Sequence, residues 1–259
     1  MPRDRLIPAL VEGHGDIAAS NLTITQDRRR RVAFSEPLGR DAKEIVVTGP
    51  GAPPVTRLEN LSGRKVYVRA SSSFAESLGA LNASFSERGL KPVEIVPVDE
   101  GLETEDILEL VNAGVYPITV ADDHMVALWS QVLGELRAHP DVAVRTGTSI
   151  AWALRKENPQ LKGFVDEFVR KHRAGTLTGN ILIKRYLANT RWIRNPGHEG
   201  GGERFWSMVG LFEPYASRYS LDYLLVAAQA YQESGLDQSK RSPAGAVGGL
   251  RSRVGVAHR

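Results

Sequence analysis

The sequence predicts an α/β domain followed by an all-α segment, and three observations lead to this organisation. Patterns typical of strands and helices alternate from about residue 4 to residue 172, which indicates an α/β domain with a largely parallel sheet. Residues 190–203 are rich in glycine and proline and have no apolar period, as expected of a linker. The segment that begins near residue 204 has only helical periodicity.

The first predicted elements are a short helix and three strands. Residues 4–12 carry apolar side chains on one helical face, namely Leu6, Ile7, Leu10 and Val11. The runs DIAAS (16–20) and KEIVVTG (43–49) indicate strands because they are short and bounded by polar or turn residues. RKVYVRA (64–70) alternates valine with other residues, which indicates a strand with one buried face.

A longer helix is predicted next, followed by another strand. The apolar residues of this helix recur at helical spacing, at Phe74, Leu78, Leu81 and Phe85. Ser73 and Glu76 have the spacing of a capping box, and Gly89 is a typical stop signal. KPVEIVPV (91–98) then predicts a strand.

The same alternation continues to residue 172. TEDILELVNAG (104–114) predicts a helix that ends at Gly114, VYPITVADD (115–123) a strand, and HMVALWSQVL (124–133) a helix. DVAVRTGTSIAWALR (141–155) contains extended pieces.

The last helix of this domain has the clearest start signal. In NPQLKGFVDEFVRKH (158–172), Asn158 occupies the N-cap position and Pro159 the first turn. Its apolar residues share one face, namely Leu161, Phe164, Val165 and Phe168.

Composition excludes several classes of protein. A formal charge of +3 gives no reason to expect nucleic-acid binding, and the basic run Arg28–Arg31 lacks the interleaved aromatics of single-strand binding surfaces. With no cysteine, the chain can form neither a disulfide nor a thiolate metal site. The sequence contains no run of about 18 apolar residues, so it predicts no transmembrane segment. The opening residues, MPRDRLIPALVEG, lack a signal-peptide pattern.

Two polar clusters could bind an anion. Asn21, Thr23 and Arg28 follow the first strand, and amide, hydroxyl and guanidinium groups together can hold a carboxylate. The alternative is an ordinary polar loop beside a solvated arginine run. Ser72 and Ser73 lie at a predicted helix start, where hydroxyls and free N–H groups can bind an anion. The alternative for these serines is a simple N-cap.

A third cluster could bind a cation. Asp122 and Asp123 end a predicted strand, where a carboxylate could accept an ammonium group. His124 follows, but one histidine beside two aspartates does not have the ligand spacing of a metal site. We therefore expect no metal and no cofactor. The alternative for this cluster is a surface loop.

These clusters, in this order, resemble the polar amino-acid-binding family of type 2 periplasmic solute-binding proteins. DIAASNLTITQDRRRRVAFSEP is similar to the family's first-lobe segment, LSGRKVYVRASSSF to the segment that opens the second lobe, and AWALRKENPQLKGFVDEFV to the return. The resemblance implies a two-lobed fold, with lobe one at residues 1–45 and about 140–189 and lobe two at about 46–139.

The same resemblance implies the roles of the clusters. Asn21, Thr23 and Arg28 would contact a ligand carboxylate, Ser72 or Ser73 would assist from the facing lobe, and Asp122 would accept an ammonium group. Ser71 replaces the family's usual glycine. The family's first strand, helix and second strand have no counterpart before residue 4, so we expect an incomplete first lobe.

The last part of the chain resembles a catalytic signature. AYQESGLDQSKRSPAGAVG is similar to the goose-lysozyme-like lytic transglycosylases, in which a helix ending in Glu-Ser precedes a Ser-x-x-Gly-Ala-x-Gly turn. Glu233 would then be the catalytic acid and base, and four further residues would position the sugar: Ser234, Ser242, Gly245 and Gly248. The alternative is that Glu233 is a solvated helix residue. A solute-binding module followed by such a domain resembles the membrane-bound lytic murein transglycosylase F family.

This resemblance implies a peptidoglycan lytic transglycosylase. Glu233 would protonate the leaving oxygen and then deprotonate the sugar's 6-hydroxyl, which gives 1,6-anhydromuropeptides without water. A carboxyl beside YLLVAAQA is desolvated, and desolvation raises the pKa of a carboxyl. The resemblance further implies a periplasmic location or the periplasmic face of the outer membrane, with peptidoglycan as partner and an amino acid or muropeptide as ligand.

The tail departs from the catalytic signature after Gly248. The expected Gly-Leu-Met-Gln reads Gly-Gly-Leu-Arg at residues 248–251, and the chain ends at residue 259. We therefore expect residues 204–259 to be a partial transglycosylase domain from a frameshifted or truncated reading frame, too short for a self-sufficient helical core. Such a fragment would be catalytically incomplete. The alternative function is a periplasmic binding protein without catalysis.

Overall fold

The computed structural model describes residues 1–186, 212, 214, 216–219 and 221–234, with the backbone alone for residues 224, 228 and 231–234. The chain divides into two compact units, Met1–Thr190 and Arg191–Arg259. The first unit contains almost all of the described residues, and its elements alternate as the sequence pattern predicts. The domain limits 1–189, 190–203 and 204–259 stay predictions.

The first unit consists of short helices around strands of very different length. Its helices, after a 3-10 turn at Arg3–Arg5, are α1 (Leu6–Val11), α2 (Gln26–Arg31), α3 (Ser73–Glu87), α4 (Thr104–Asn112), α5 (Asp123–Trp129), α6 (Pro159–His172) and α7 (Leu177–Tyr186), with a second 3-10 turn at Leu58–Leu61. Its strands are β1 (Ile17–Thr23), β2 (Ala33–Phe34), β3 (Gly39–Thr48), β4 (Lys65–Arg69), β5 (Glu94–Val98), β6 (Ile118–Asp122) and β7 (Arg137–Leu154).

The long strands β3 and β7 connect the two halves of the unit. Among the described residues, five strands form one sheet in the order β1-β7-β3-β6, with β2 also pairing with β7. β4 and β5 pair separately. The pairing of β3 with β7 runs from Gly39 and Ile150 to Thr48 and Arg137, with four register shifts along the way.

The expectation of a largely parallel sheet was wrong. Each pairing within the five-stranded sheet is antiparallel, and β4 with β5 is the parallel pair. The physical reason is the path of the chain, which passes from one half to the other along β3 and returns along β7. Two adjacent segments that run in opposite directions must pair antiparallel.

Two hydrophobic cores lie at opposite ends of the β3–β7 pair, so the unit has two lobes. The core of lobe one contains Ile7, Leu10, Ala18, Leu22, Val32, Phe34, Ala151 and Ala153. The core of lobe two contains Val46, Val55, Leu61, Val66, Val68, Phe74, Leu78, Phe85, Val93, Ile118, Val120 and Val142. Residues 142 and 151 of β7 belong to different cores, so one strand links both lobes.

Strand β3 is buried on both faces where it enters lobe two. Val46 packs into the core of lobe two, whereas its neighbours Ile45 and Val47 pack on the opposite face against Leu108 and Val111 of α4. The apolar run in KEIVVTG therefore reflects a strand covered by helices on two sides rather than a half-exposed one.

Helix ends match the sequence signals with one correction. Asn158 accepts a hydrogen bond from the Leu161 N–H and caps α6, and the stop residues Gly89 and Gly114 have φ values of 67° and 75°. The N-cap of α3, however, is Ser72, whose hydroxyl accepts from the Ala75 N–H at 3.2 Å. Ser73 is already helical, so the capping box predicted from Ser73 and Glu76 is one residue out of register.

The buried faces of two helices also differ from the expected ones. α6 buries Val165 and Val169, whereas Phe164 is 73% exposed and Phe168 is 49% exposed. Val11 of α1 is likewise 52% exposed. Periodicity identified these helices correctly but assigned too wide a buried face.

The second unit contains helix α8 (Tyr223–Ser234). Phe212, Ala227 and Ala230 form a small buried cluster, with Tyr223 and Val226 packed against it. Glu233 and Ser234 are the last two residues of α8, so the predicted helix before the Glu-Ser pair is present. Ser242, Gly245 and Gly248 lie outside the described residues, as does the predicted linker.

Substitution of Leu78 by alanine should destabilise the protein strongly. Leu78 is 0% exposed in the core of lobe two, and a buried Leu→Ala change typically lowers the free energy of unfolding by about 2–5 kcal/mol. Leu177→Ala is the matched control, because Leu177 is 80% exposed and should change that free energy by less than ~0.5 kcal/mol. Urea denaturation measures both values, and equal effects would contradict the described core.

Candidate functional site

A cleft of about 480 Å³ lies between the two lobes. Lobe one contributes residues from α1, β1 and α2, and lobe two contributes the β4–α3 turn and the end of β6. The lining includes all six residues that the sequence predicts as ligand contacts: Asn21, Thr23, Arg28, Ser72, Ser73 and Asp122. Groups more than 90 residues apart in the chain thus line one cavity.

Arg28 extends from lobe one towards lobe two. Its backbone N–H donates to the Thr25 hydroxyl, which caps α2, and Nη1 donates to the Thr23 carbonyl at 2.9 Å. Nη2 donates to the Ser71 carbonyl of lobe two at 3.1 Å. Burial lowers the pKa of Arg28, and the negative charges of Glu76 and Glu44 oppose that shift. The guanidinium is therefore held in a fixed orientation at the junction of the lobes.

Asn21 and Thr23 come from an irregular part of β1. The pairing of β1 with β7 shifts register between Ala18 and Leu22, and Asn21 has a φ of 48° in the left-handed region. Asparagine tolerates this conformation better than most residues. The Asn21 amide lies 3.4 Å from His124 Nε2 of the other lobe, whereas Thr23 is buried.

The serine cluster has divided roles. The Ser72 hydroxyl donates to the Arg69 carbonyl at 2.6 Å and caps α3, so the structure gives it a helix-capping function. Ser71 donates two hydrogen bonds to the Glu100 carboxylate, from its backbone N–H at 2.9 Å and from its hydroxyl at 2.5 Å. The serine that stands where the family usually has glycine therefore has a carboxylate partner. These bonds fix the turn in which the Ser71 carbonyl accepts from Arg28.

Asp122 is a buried acid in the wall of the cleft. It is 4% exposed, and its Oδ1 has no hydrogen-bond partner among the described residues. Burial raises the pKa of Asp122 to about 7, with further contributions from the negative charges of Glu44 and Asp123. The positive charge of Arg28 opposes this shift. An unpartnered buried carboxyl is unfavourable unless it carries a proton or meets a cation.

Several charged groups at this site have no signal in the sequence pattern. Arg69 lines the cleft and donates to the Leu102 carbonyl at 2.6 Å and to the Thr104 hydroxyl at 3.2 Å. Arg3 bridges the lobes, with Nε donating to Glu103 at 2.7 Å and Nη1 to the Ser20 carbonyl. These residues carry no local motif, because their partners come from distant segments.

Other site types find no support in the described part of the chain. Those residues include no group of three acidic or histidine side chains that could hold a metal ion. None of the helices built from them has the length and apolar character needed to cross a membrane. Glu233 and Ser234 have a described backbone only, so their catalytic roles stay predictions.

A comparison with known protein families identifies the first unit. The profile of bacterial extracellular solute-binding proteins, family 3, matches residues 1–187. The chain belongs to this family. The resemblance to solute-binding proteins that the sequence motifs indicated is thereby confirmed for residues 1–187.

Curated relatives of this family 3 protein resemble it beyond the solute-binding part. A protein of Desulfosudis oleivorans named membrane-bound lytic murein transglycosylase F is 27% identical over 95% of this chain and 53% of its own length. A protein of Maricaulis maris with the same name is 29% identical over 98% of this chain and 54% of its own length. The chain therefore spans about half the length of the curated relatives it matches.

Solved structures confirm the two-lobed α/β fold of type 2 periplasmic binding proteins. An ancestral arginine-binding protein bound to arginine aligns with a TM-score of 0.58 and 21% identity over 72% of this chain and 77% of its own. A binding component of an ABC transporter from Wolinella succinogenes, complexed with lysine, aligns with a TM-score of 0.59 and 22% identity over 75% and 79%. At these identities the likeness concerns the fold alone.

Asp122→Asn should stabilise the protein in a pH-dependent way. The pKa of Asp122 rises from 3.8 to about 7 on folding, so its ionised form disfavours the folded state. This cost is absent below pH 3.8 and grows until the pH passes about 7. The gain in unfolding free energy from Asp122→Asn should therefore be ~3 kcal/mol larger at pH 8 than at pH 5, measured by urea denaturation.

Asp123→Asn is the matched control for this comparison. Asp123 is the next residue along, its side chain is 36% exposed, and its carboxylate accepts from the His124 N–H. Solvent screens an exposed carboxylate, so the control should show a much smaller difference between the two pH values. Equal pH dependence in both variants would contradict the burial of Asp122.

Proposed function

We propose that residues 1–187 bind an amino acid, or the amino-acid portion of a muropeptide, in the cleft between the lobes. One observation carries this proposal: the Arg28 guanidinium and the Asp122 carboxyl, whose Oδ1 has no hydrogen-bond partner among the described residues, line the same cavity from opposite lobes. A zwitterionic ligand presents a carboxylate and an ammonium group that complement these two charges.

The polar groups around Arg28 support the carboxylate half of this proposal. Thr23 and Asn21 of β1 line the cleft beside Arg28, and the first residues of α3, 73–75, line it from lobe two. A helix N-terminus favours an anion through its free N–H groups and its dipole. The ligand carboxylate would replace the Ser71 carbonyl as a partner of Arg28 and so connect the two lobes.

Ligand binding should raise the melting temperature of the native protein. At a ligand concentration 100 times Kd the gain is ~2.7 kcal/mol, which corresponds to a rise of roughly 5–10 °C for a domain of this size. The probes are L-arginine, L-lysine, L-glutamine and the tripeptide of a muropeptide stem. Scanning calorimetry with each probe measures the rise.

Arg28→Ala should abolish this rise. Loss of one partner of a desolvated charge pair costs about 2–5 kcal/mol of binding free energy. Arg29→Ala, the neighbouring and exposed arginine of α2, removes the same charge and should keep the response. A rise that survives in Arg28→Ala, or the absence of a rise with all four probes, would count against the proposal.

A second function is supported by the matches that extend past the solute-binding part. We propose that the chain comes from a peptidoglycan lytic transglycosylase in which the binding module regulates cleavage of the MurNAc–GlcNAc bond. The relatives of that name match 95% to 98% of this chain, and Glu233 lies at the end of α8, where the signature places its acid and base. Peptidoglycan is then the partner, and the location is the periplasm or the periplasmic face of the outer membrane.

Catalysis depends on Glu233 in this second proposal. Purified murein incubated with the chain tests this role: the sequence predicts a catalytically incomplete fragment, so the release of 1,6-anhydromuropeptides should be low, and Glu233→Gln should reduce any release by at least ~100-fold, the usual contribution of a general acid–base group. Glu167→Gln changes an exposed acid of α6 and should leave the release unchanged. Release that persists in Glu233→Gln would exclude the assigned role of that residue, whereas absence of release from the native chain would agree with the incomplete fragment expected from the sequence.

A further inference from the structure

Three charged side chains form a row across neighbouring strands behind the cleft. The antiparallel register places Glu44 of β3 opposite Arg145 of β7 on one side and opposite Asp122 of β6 on the other. Residues directly opposite each other in antiparallel strands share one face of the sheet, with Cβ atoms about 4.5–5.5 Å apart. The row therefore consists of one cation and two adjacent carboxyl groups, and Asp122 at its end lines the cleft.

Glu44 is the most deeply buried acid of the row. It is 0% exposed, and its Oε2 accepts from the Ser77 hydroxyl and lies 3.9 Å from Arg145 Nε. Its Oε1 has no hydrogen-bond partner among the described residues. Arg145 also pairs with Glu76 at 3.2 Å, so its charge is divided between two carboxylates. The charge of Glu44 is thus only partly compensated on the side away from Asp122.

Asp122 lies beside this partly compensated charge, and no described residue forms a salt bridge with it. Its Oδ1 is buried and has no hydrogen-bond partner in the described part of the chain, and Glu44 is the largest charged contributor to the rise in the pKa of Asp122, after burial. Two like charges at adjacent buried positions cannot both ionise without a large cost, so one of them retains a proton or gains a cation.

We propose that Glu44 makes ligand binding proton-coupled: it holds a proton on Asp122, and a ligand ammonium group takes the place of that proton. This inference rests on the proposed amino-acid-binding function. An ammonium group carries three N–H donors and one positive charge, so it can donate to the unpartnered oxygen and neutralise one of the two carboxylates, as the displaced proton did. Glu44 does not line the cleft, so it acts as a positioning residue through Asp122.

The charged groups that act on Asp122 are Glu44 on β3, Asp123 on α5 and Arg28 on α2. Behind them, Arg145 on β7 pairs with Glu44 and with Glu76 on α3. Asp123 and Glu76 have side chains 36% and 44% exposed, so solvent screens their charges. Arg28 favours an ionised Asp122, but the same guanidinium is the proposed partner of the ligand carboxylate. Glu44 is therefore the group whose removal should change Asp122 most.

The protonation of Asp122 can be measured without any ligand. A carbon-13 NMR titration of side-chain carboxyls, with the Asp122 signal assigned by its loss in Asp122→Asn, should give a midpoint near pH 7. Glu44→Gln keeps the shape of the side chain and should lower this midpoint by about one pH unit or more. Glu94→Gln removes an exposed acid of β5 and should leave it unchanged. A native midpoint below about pH 5 would overturn the inference.

The exchange of proton for ammonium can be measured on the native protein, so it does not depend on the folding of Glu44→Gln. Calorimetric titration with L-glutamine, in two buffers of different ionisation enthalpy, counts the protons released on binding. About 0.9 proton should be released at pH 6, about half at pH 7 and almost none at pH 8.5, and the affinity should fall up to tenfold between pH 7 and pH 6. Glutaramic acid, the analogue of glutamine without the ammonium group, should release none.

The outcomes separate this inference from the function on which it rests. Binding of L-glutamine without proton release at pH 6 would overturn the inference and leave the amino-acid-binding function intact. Absence of binding by L-glutamine and by the other amino-acid probes would overturn the function and the exchange together. In Glu44→Gln, the release at pH 6 should fall from about 0.9 proton to below about 0.5 proton per ligand bound. An unchanged release would exclude the role of Glu44.

Discussion

The two antiparallel strands that cross between the lobes are the constraint on which the rest of this structure depends. β7 enters the hydrophobic cores of both lobes, and β3 pairs along it and enters the core of lobe two, so the position of each lobe is fixed to the same pair of backbones. Their register also decides which side chains face each other behind the cleft. Because both faces of β3 are covered in lobe two, a one-residue slip of register would exchange its two buried sets of side chains and move Glu44 out of its place opposite Asp122 and Arg145.

Within this frame, the cleft combines local stabilisation with local unfavourable electrostatics. Arg3 and Arg28 form hydrogen bonds from one lobe to the other, and Glu100 fixes the turn at Ser71 that receives one of them. Glu44 and Asp122, in contrast, place two carboxyl groups in a buried environment with unpartnered oxygens. Such an arrangement persists because the surrounding cores hold it, and sites of this kind are common where a ligand binds.

Two matches of different extent concern the solute-binding part of the chain and its helical unit. The family profile covers residues 1–187, whereas the curated relatives match nearly the whole chain and extend over about twice its length. The binding cleft and the Glu233 signature therefore lie in separate units of one chain. The proposed regulatory role of the first unit accounts for the presence of the binding cleft and of the Glu233 signature in one chain.

The sequence alone determined the order of elements, their helix signals and the family. Asn158, Gly89 and Gly114 were identified from local rules, because a cap or a left-handed stop depends on a few neighbouring residues. The six expected ligand contacts also came from the sequence, through an ordered set of motifs, and all of them line the cleft. Their roles in binding are predictions that local pattern cannot test.

Only the tertiary structure decided the direction of the strands and the environment of the acids. Glu44, Asp122 and Arg145 are separated by 78 and 23 positions along the chain, and no local pattern relates them. Their charges interact because strand register places them in one row, and the shift in the pKa of Asp122 results from that row and from burial. Burial and register arise from long-range packing, which is why the sequence indicated an ammonium-binding carboxylate but not the second acid beside it.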